Sequence, residues 1–305
     1  MMIEVLYIWK KYGNFTALQD VRFTVYNGEV VGYVGLNGAG KTTTIEIIAG
    51  VSYPTRGDVI IDGYSIVKEK KEAAKNVGWV PELPIFEQDV RALDYFIYLA
   101  GYYGIDKEEA KKKAEELFSL VGLQGREKDK LKNYSQGMKK RFALAVSLIS
   151  DPNNFLFDEV LNGLDPEGIM FFRDLAVKLK RKNKAVLFSS HILSEVENIA
   201  DRVVFIHKGR IIRQMPMREI RNFIKTNTFR VVLGRIDKDV IKIVEKYGNP
   251  RIQGNTIFIE NFDGNISGLC ADLSNYDIIE MGKVKGNLEE VFFRLIGEQN
   301  ETSIL

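Results

Sequence analysis

Residues 30–42 read VVGYVGLNGAGKT, a β-branched apolar run that breaks into glycines and closes on a lysine and a threonine. Gly35, Leu36, Asn37, Gly38, Ala39, Gly40, Lys41 and Thr42 spell the pattern G-x-x-x-x-G-K-[ST]. The run reads as a buried strand. The glycines let backbone amides wrap a polyphosphate, and the helix expected at Thr42–Ile48 points its N-terminus at that charge. Lys41 can reach the β- and γ-phosphates, and Thr42 can ligate Mg²⁺. The Thr43 hydroxyl can hydrogen-bond the α-phosphate. At average residue usage a chance match in such a chain is on the order of one percent, so an ordinary glycine-rich turn is the weaker reading. A nucleoside triphosphate is expected to bind, which leaves kinase, GTPase and motor ATPase open.

The runs Val59–Ile61, Gly78–Pro81, Phe155–Phe157 and Ala185–Ser189 are short, apolar and bounded by turn residues or charges. Together they predict an α/β phosphate-loop NTPase core with a mainly parallel sheet covered on both faces. Between Pro84 and Pro152 the pattern turns helical, with Ala110, Ala114, Leu117 and Val121 at helical spacing. That predicts a helical subdomain inserted at about 83–153. The stretch NFLFDE ends a predicted strand on two carboxylates. Asp158 is placed to hold Mg²⁺ through water, and Glu159 to orient or deprotonate an attacking water. Alone, this is an acidic strand-to-loop corner; the phosphate loop gives it a task.

Composition narrows the surroundings. Among 305 residues, 43 basic and 41 acidic side chains leave a net charge of +2, so nothing calls for nucleic acid. One cysteine, Cys270, excludes an intrachain disulfide framework and fits a reducing compartment. Two histidines and one cysteine make a dedicated zinc site a poor expectation. No apolar run approaches the roughly 20 residues that span a bilayer, and the N-terminus, with its early acid, is too short in apolar character for a signal peptide to be expected. The chain is expected in the cytoplasm, without inserting into a membrane itself.

Three further stretches choose among the nucleotide chemistries. NYSQGMKKR (133–141) precedes the acidic pair, NGLDP (162–166) follows it, and SSHILSEVE (189–197) comes next. With the phosphate loop, these four ordered motifs resemble the ATP-binding subunit of an ABC transporter over roughly residues 1–214. The resemblance implies an ATP hydrolase, using ATP and Mg²⁺, that works as a homodimer or as a heterodimer with a similar subunit. It also implies a membrane-spanning permease partner, which would hold the subunit on the inner face of the cell membrane. Each ATP would lie between one subunit's phosphate loop and its partner's signature, where Ser135 gives a hydroxyl and Gly137 a bare amide at a helix N-terminus. His191 matches the switch histidine that contacts the γ-phosphate, and Asp165 the loop that crosses the dimer interface. Tyr12 sits where the family stacks a ring on adenine, with Phe15 its nearest rival. Lys139, Lys140 and Arg141 read as a solvated or structural face, and His207 as structural. The alternative is a soluble ABC-family ATPase acting on DNA or ribosomes.

The pattern is not met everywhere. Glu82 stands where glutamine is common and is kept as a metal or water contact. Gln136, Met138, Val160, Leu161 and Asn162 also depart from the family's usual residues. After a linker at 215–227, residues 228–297 read as strand, helix, two strands about Gly254-Asn255, helix and strand. That order predicts a small ferredoxin-like α+β domain, closed by a helix that Asn287 and Glu290 cap, with a tail at 298–305. This extension resembles that of subunits serving drug, lipid or polymer exporters.

Overall fold

The computed structural model describes residues 2–223, 228–283 and 286–302. Residues 224–227 of the expected linker and 303–305 of the expected tail lie outside them. The described residues fall within two compact units, Met1–Met217 with Leu295–Leu305, and Arg218–Arg294.

The first unit opens with two long strands, β1 (Met2–Tyr12) and β2 (Phe15–Tyr26), then β3 (Val30–Val34) and α1 (Lys41–Ile48). There follow β4 (Arg56–Ile61), β5 (Tyr64–Ser65), α2 (Lys70–Lys75) and β6 (Val77–Val80). A helical stretch comes next, with α3 (Ala92–Gly101), α4 (Lys107–Leu120), a 3₁₀ turn at Leu131–Asn133 and α5 (Gln136–Ser147). The chain then alternates through β7 (Asn154–Phe157), α6 (Pro166–Arg181), β8 (Ala185–Ser190), α7 (Leu193–Ile199), β9 (Arg202–His207) and β10 (Arg210–Pro216). Helix α8 (Met217–Phe223) begins where the expected linker was placed.

A six-stranded sheet in the order β10-β9-β3-β8-β7-β6 carries the core. Every pairing from β9 to β6 is parallel, and only β10 runs antiparallel, beside β9. Strands β3, β7 and β8 are buried along their whole length, as strands covered on both faces must be.

Val59–Ile61 corrects an expectation: it belongs to β4, in a separate antiparallel sheet of order β2-β1-β4-β5. The long strands β1 and β2 lacked a clear alternation because Tyr7 (φ 53°) and Asp20 (φ 55°) break it. The β1–β2 register shifts on either side of Ile8, and such a bulge moves later side chains to the opposite face.

The helical insertion has an aromatic centre. Phe142 on α5 is fully buried, with ring centroids of Phe86 at 4.9 Å, Phe118 at 5.7 Å, Tyr134 at 6.2 Å and Tyr95 at 6.5 Å. The aromatics after Glu82 therefore divide. Phe86, Tyr95 and Phe96 serve this core, whereas Ile85 (88% exposed) and Tyr102 (73%) stay at the surface.

The second unit contains β11 (Phe229–Leu233), α9 (Lys238–Glu245), β12 (Asn249–Gln253), β13 (Thr256–Glu260), α10 (Ile266–Asp272), β14 (Ile278–Lys283) and the first part of α11 (Leu288–Thr302), whose residues from Leu295 on belong to the first unit. Its sheet order is β12-β13-β11-β14, and every pairing is antiparallel. That is the strand order a βαββαβ chain takes when two split βαβ units interleave. Alternation along β11 sends Phe229, Val231 and Leu233 into a core with Val240, Val244 and Phe262. Asp237 caps α9 by accepting from the amides of Asp239 and Val240 at 3.0 Å. Asn287 accepts from the Glu290 amide at 2.9 Å at the start of α11. Among the described residues no helix is long and apolar enough to cross a membrane.

Truncating Phe142 to alanine removes the ring that four others touch. The expected loss is about 3–5 kcal/mol of unfolding free energy, measured as a lower urea midpoint at unchanged slope. A midpoint equal to the parent's would show that the insertion's core lies elsewhere.

Candidate nucleotide-binding and hydrolysis site

Four neighbouring parallel strands deliver the candidate residues to one edge of the sheet. Lys41 and Thr42 follow β3, His191 follows β8, Asp158 and Glu159 follow β7, and Glu82 follows β6. Loops at the carboxyl ends of parallel strands converge, which is where open α/β sheets bind ligands.

The phosphate loop is shaped by its glycines at two points. A Cβ on Gly35 would lie 2.4 Å from the Ile206 carbonyl oxygen, and Gly40, the N-cap of α1, has φ 107°. Gly40 has no capping side chain, so nothing of its own competes for the first-turn amides that an anion would use. Lys41 Nζ donates to the carbonyls of Gly35 at 2.8 Å and Leu36 at 3.3 Å, inside the curve of the loop.

Opposite the loop lies the acidic corner. Asp158 and Glu159 are 1% and 4% exposed. One buried hydroxyl braces both, since Ser189 Oγ donates to Asp158 Oδ1 at 2.6 Å and accepts from the Glu159 amide at 2.8 Å. Glu159 adopts a left-handed backbone, φ 45°, a strained conformation for this residue type and one that recurs at functional sites. Its Oε2 meets His191 Nδ1 at 2.9 Å and accepts from Asn162 Nδ2 at 3.3 Å. Its Oε1 lies 3.1 Å from Lys41 Nζ but outside hydrogen-bonding geometry, so this buried oxygen has no hydrogen-bond partner.

Burial pushes the Asp158 carboxyl above its ordinary range, against hydrogen bonds from Ser189 and Thr42; the charges of Glu159 and Glu82 add to the rise. Such a group is short of positive charge. Among the described residues no group of three or more His, Cys, Asp or Glu is arranged to hold a metal. A hydroxyl and few carboxylates suit Mg²⁺, which keeps several waters and takes phosphate oxygens rather than an all-protein cage.

These residues share one cleft of about 400 Å³, lined by Tyr12, Phe15, Ala17, Asn37, Gly38, Gly40, Lys41, Thr42, Thr43, Glu82, Glu159, Asn162 and His191. Tyr12 and Phe15 face each other across the β1–β2 hairpin, 50% and 65% exposed. Lys10 Nζ stands 5.1 Å from the Tyr12 ring centroid. Gly35, Leu36 and Ala39 complete the loop without lining the cleft, and Asp158 lies beneath it.

The structure does not bring Ser135, Gly137 or Asp165 into this cleft. Ser135 caps α5, its Oγ accepting from the Met138 amide at 3.2 Å. A Cβ on Gly137 would come within 3.3 Å of the Gly163 carbonyl. Asp165 caps α6 by accepting from the Gly168 amide at 2.9 Å, and pairs with Arg141 at 3.0 Å. The Arg141 guanidinium holds its carboxyl below the usual range. His207 sits away from the cleft, opposite Arg210 at the β9–β10 turn.

Three site neighbours escaped the sequence reading. Ser189 gave no signal, because its role exists only once β8 lies beside β7. Asn162 was visible as a departure from pattern, and its amide reaches Glu159. Lys140, in a run read as a solvated or structural face, is buried at 5% exposure beside the site.

Residues 18–162 match the family model for ABC transporters. The bacitracin transport ATP-binding protein BcrA of Bacillus licheniformis is 31% identical over 314 residues, covering 97% of each chain. The uncharacterized ABC transporter ATP-binding protein YhcH of Bacillus subtilis is 40% identical over 69% of this chain and 68% of its own. A solved structure described as the ATP binding subunit of an ABC transporter superposes with TM-score 0.68 at 30% identity, covering 73% of this chain and 93% of that one. The dimeric bacterial cassette MJ0796 gives TM-score 0.66 at 25% identity over 71% of this chain and 99% of its own. A relative matched nearly end to end, over the stretch that builds this cleft, shows that the chain belongs to the ATP-hydrolysing ATP-binding subunits of ABC transporters.

Proposed function

We propose that this subunit powers export of a drug- or lipid-like molecule through a separate membrane-spanning permease, by closing head to tail on a second copy of itself around two ATP molecules. The observation that carries the dimer is the incomplete cleft. Lys41, Glu159 and His191 meet within about 3 Å contacts, while the helix N-terminus at Ser135 and Gly137 belongs to no part of it. An anion-binding helix end of that kind has its use when a second chain presents a phosphate to it. The dimeric MJ0796 cassette supports the arrangement. The bacitracin transport relatives, matched over 97% of this chain and therefore through the second unit, support a drug-like substrate class.

Within each site, Lys41 faces the β- and γ-phosphates and Glu159 turns an attacking water toward phosphorus. His191, exposed at the cleft mouth, holds the Glu159 carboxylate in place and reaches the γ-phosphate. Thr42, Asp158 and Glu82 are the residues that would hold Mg²⁺, directly or through water, and the ion would supply charge neutralisation to the phosphate oxygens. Ser135 and Gly137 of one chain close over the nucleotide of the other, and Asp165 lies at the loop between the sites. The exposed Ile85, just beyond Glu82, and Tyr102, at the end of α3, are apolar side chains offered to the permease, which would hold the subunit at the inner face of the membrane. We assign residues 1–214 to the ATP-binding domain and 228–297 to an accessory domain.

Glu159→Gln is expected to bind ATP normally, to turn over about 10²- to 10⁴-fold more slowly, and to elute as a dimer with Mg²⁺ and ATP in size-exclusion chromatography. Turnover at the parent rate would remove Glu159 from its role, and a monomer under those conditions would sink the clamp. The same tagged variant, recovered from native membranes with ATP, is expected to bring a polytopic membrane protein with it; ribosomes or nucleic acid instead would favour a soluble ATPase.

Tyr12→Ala is expected to weaken ATP binding by roughly 1–3 kcal/mol, the value of one base–ring stack, and to weaken inorganic triphosphate binding not at all. Calorimetric titration of both ligands, run beside Phe15→Ala, shows which ring carries the base.

A further inference from the structure

The signature helix is fastened to the catalytic corner of its own chain. Lys140, one turn into α5, is only 5% exposed, and its Nζ donates to the backbone carbonyl of Glu159 at 2.7 Å, with the Val160 carbonyl at 3.5 Å. The same helix meets the following loop twice more, through the close approach of Gly137 to the Gly163 carbonyl and the Arg141–Asp165 ion pair.

A buried lysine is an expensive way to satisfy one carbonyl. Burial lowers its pKa, and the charges of Glu82, Glu159 and Asp158 act in the opposite sense. The carbonyl it serves belongs to the residue with the strained backbone. Ser189 Oγ accepts from the Glu159 amide on one side, and the Lys140 ammonium holds the carbonyl on the other. With both flanking peptides held, the left-handed φ of 45° persists and the carboxylate stays between Lys41 and His191. The Asn162 backbone amide also donates to this carbonyl at 3.1 Å, within the same turn, so the ammonium is the hold that comes from another element. Without it the peptide after Glu159 is tied only to its own loop and can tilt with it, carrying the carboxylate off its line.

We propose that Lys140 is a positioning residue for Glu159, clamping its carbonyl so that the aim of the carboxylate follows the position of the signature helix. In a closed dimer the N-terminus of α5 serves the partner's nucleotide, so seating that helix on one ATP sets the water-orienting carboxylate for the other.

The inference rests on the role proposed for Glu159, and the test separates the two. Lys140→Met, close in volume and without a donor, is made in the full-length parent and in the Glu159→Gln variant. In the parent, kcat is expected to fall about 10- to 100-fold, the cost of an ångström-scale misplacement, with KM for ATP unchanged. In Glu159→Gln, where no carboxylate is left to aim, the same change is expected to cost nothing further in single-turnover hydrolysis, because groups acting as a unit are not additive. Parent-level kcat in Lys140→Met, with Glu159→Gln slow, overturns the clamp alone. An equal fractional loss in both backgrounds, or a loss confined to KM, also overturns it. Glu159→Gln at the parent rate overturns the underlying role instead. Should Lys140→Met fail to fold, Lys140→Gln replaces it in the same cycle and is read by the same non-additivity.

Discussion

Parallel pairing of β3 with β8, and of β8 with β7, is the constraint on which the site depends. It places the ends of three strands side by side, so that a lysine, a glutamate and a histidine far apart in the chain come within about 3 Å contacts. The antiparallel sheet contributes from outside, through the hairpin that carries Tyr12 and Phe15. The core strands are buried along their length, and their polar chemistry gathers at their carboxyl ends, Ser189 included. Asp158 and Glu159 are consequently buried more deeply than surface carboxylates, with the charge balance of the cleft left for a bound nucleotide to complete.

Burying Lys41 against Glu159, each side chain 5% exposed, costs desolvation that their attraction does not readily return. The pair makes sense as a preorganised arrangement rather than as a source of stability. Charges and donors fixed in place before the ligand arrives need not reorganise during reaction. The raised pKa of Asp158 and the strained φ of Glu159 belong to the same account. Each is a local cost in a fold whose aromatic and aliphatic cores are closely packed.

Much of this was legible in residue order. The phosphate loop, the acidic pair and His191 announce themselves because their chemistry demands particular residue types at short spacings. The second unit was readable for another reason: its central strands β11 and β13 alternate cleanly, and Gly254-Asn255 and Asp237 mark its turn and cap. What failed to show depended on contacts between distant segments. Val59–Ile61 looks like any core strand until its neighbours are known, and bulges at Tyr7 and Asp20 hid β1 and β2 from a period-two reading. Lys140 resembles the solvated lysine beside it, because burial is not a property of a residue's type.

By itself, then, the sequence determined the chemistry: a loop that can cradle phosphate, a pair of carboxylates at a strand end, and a serine-capped helix N-terminus. The tertiary structure alone decided the company each group keeps. Sheet order brought Ser189 beneath both carboxylates, turned the amide of Asn162 toward Glu159, and drew a lysine of the signature helix onto the Glu159 carbonyl. Short-range steric rules write a motif locally. Hydrogen bonds across parallel strands, made between residues 30 and more positions apart, are settled only when the whole core packs.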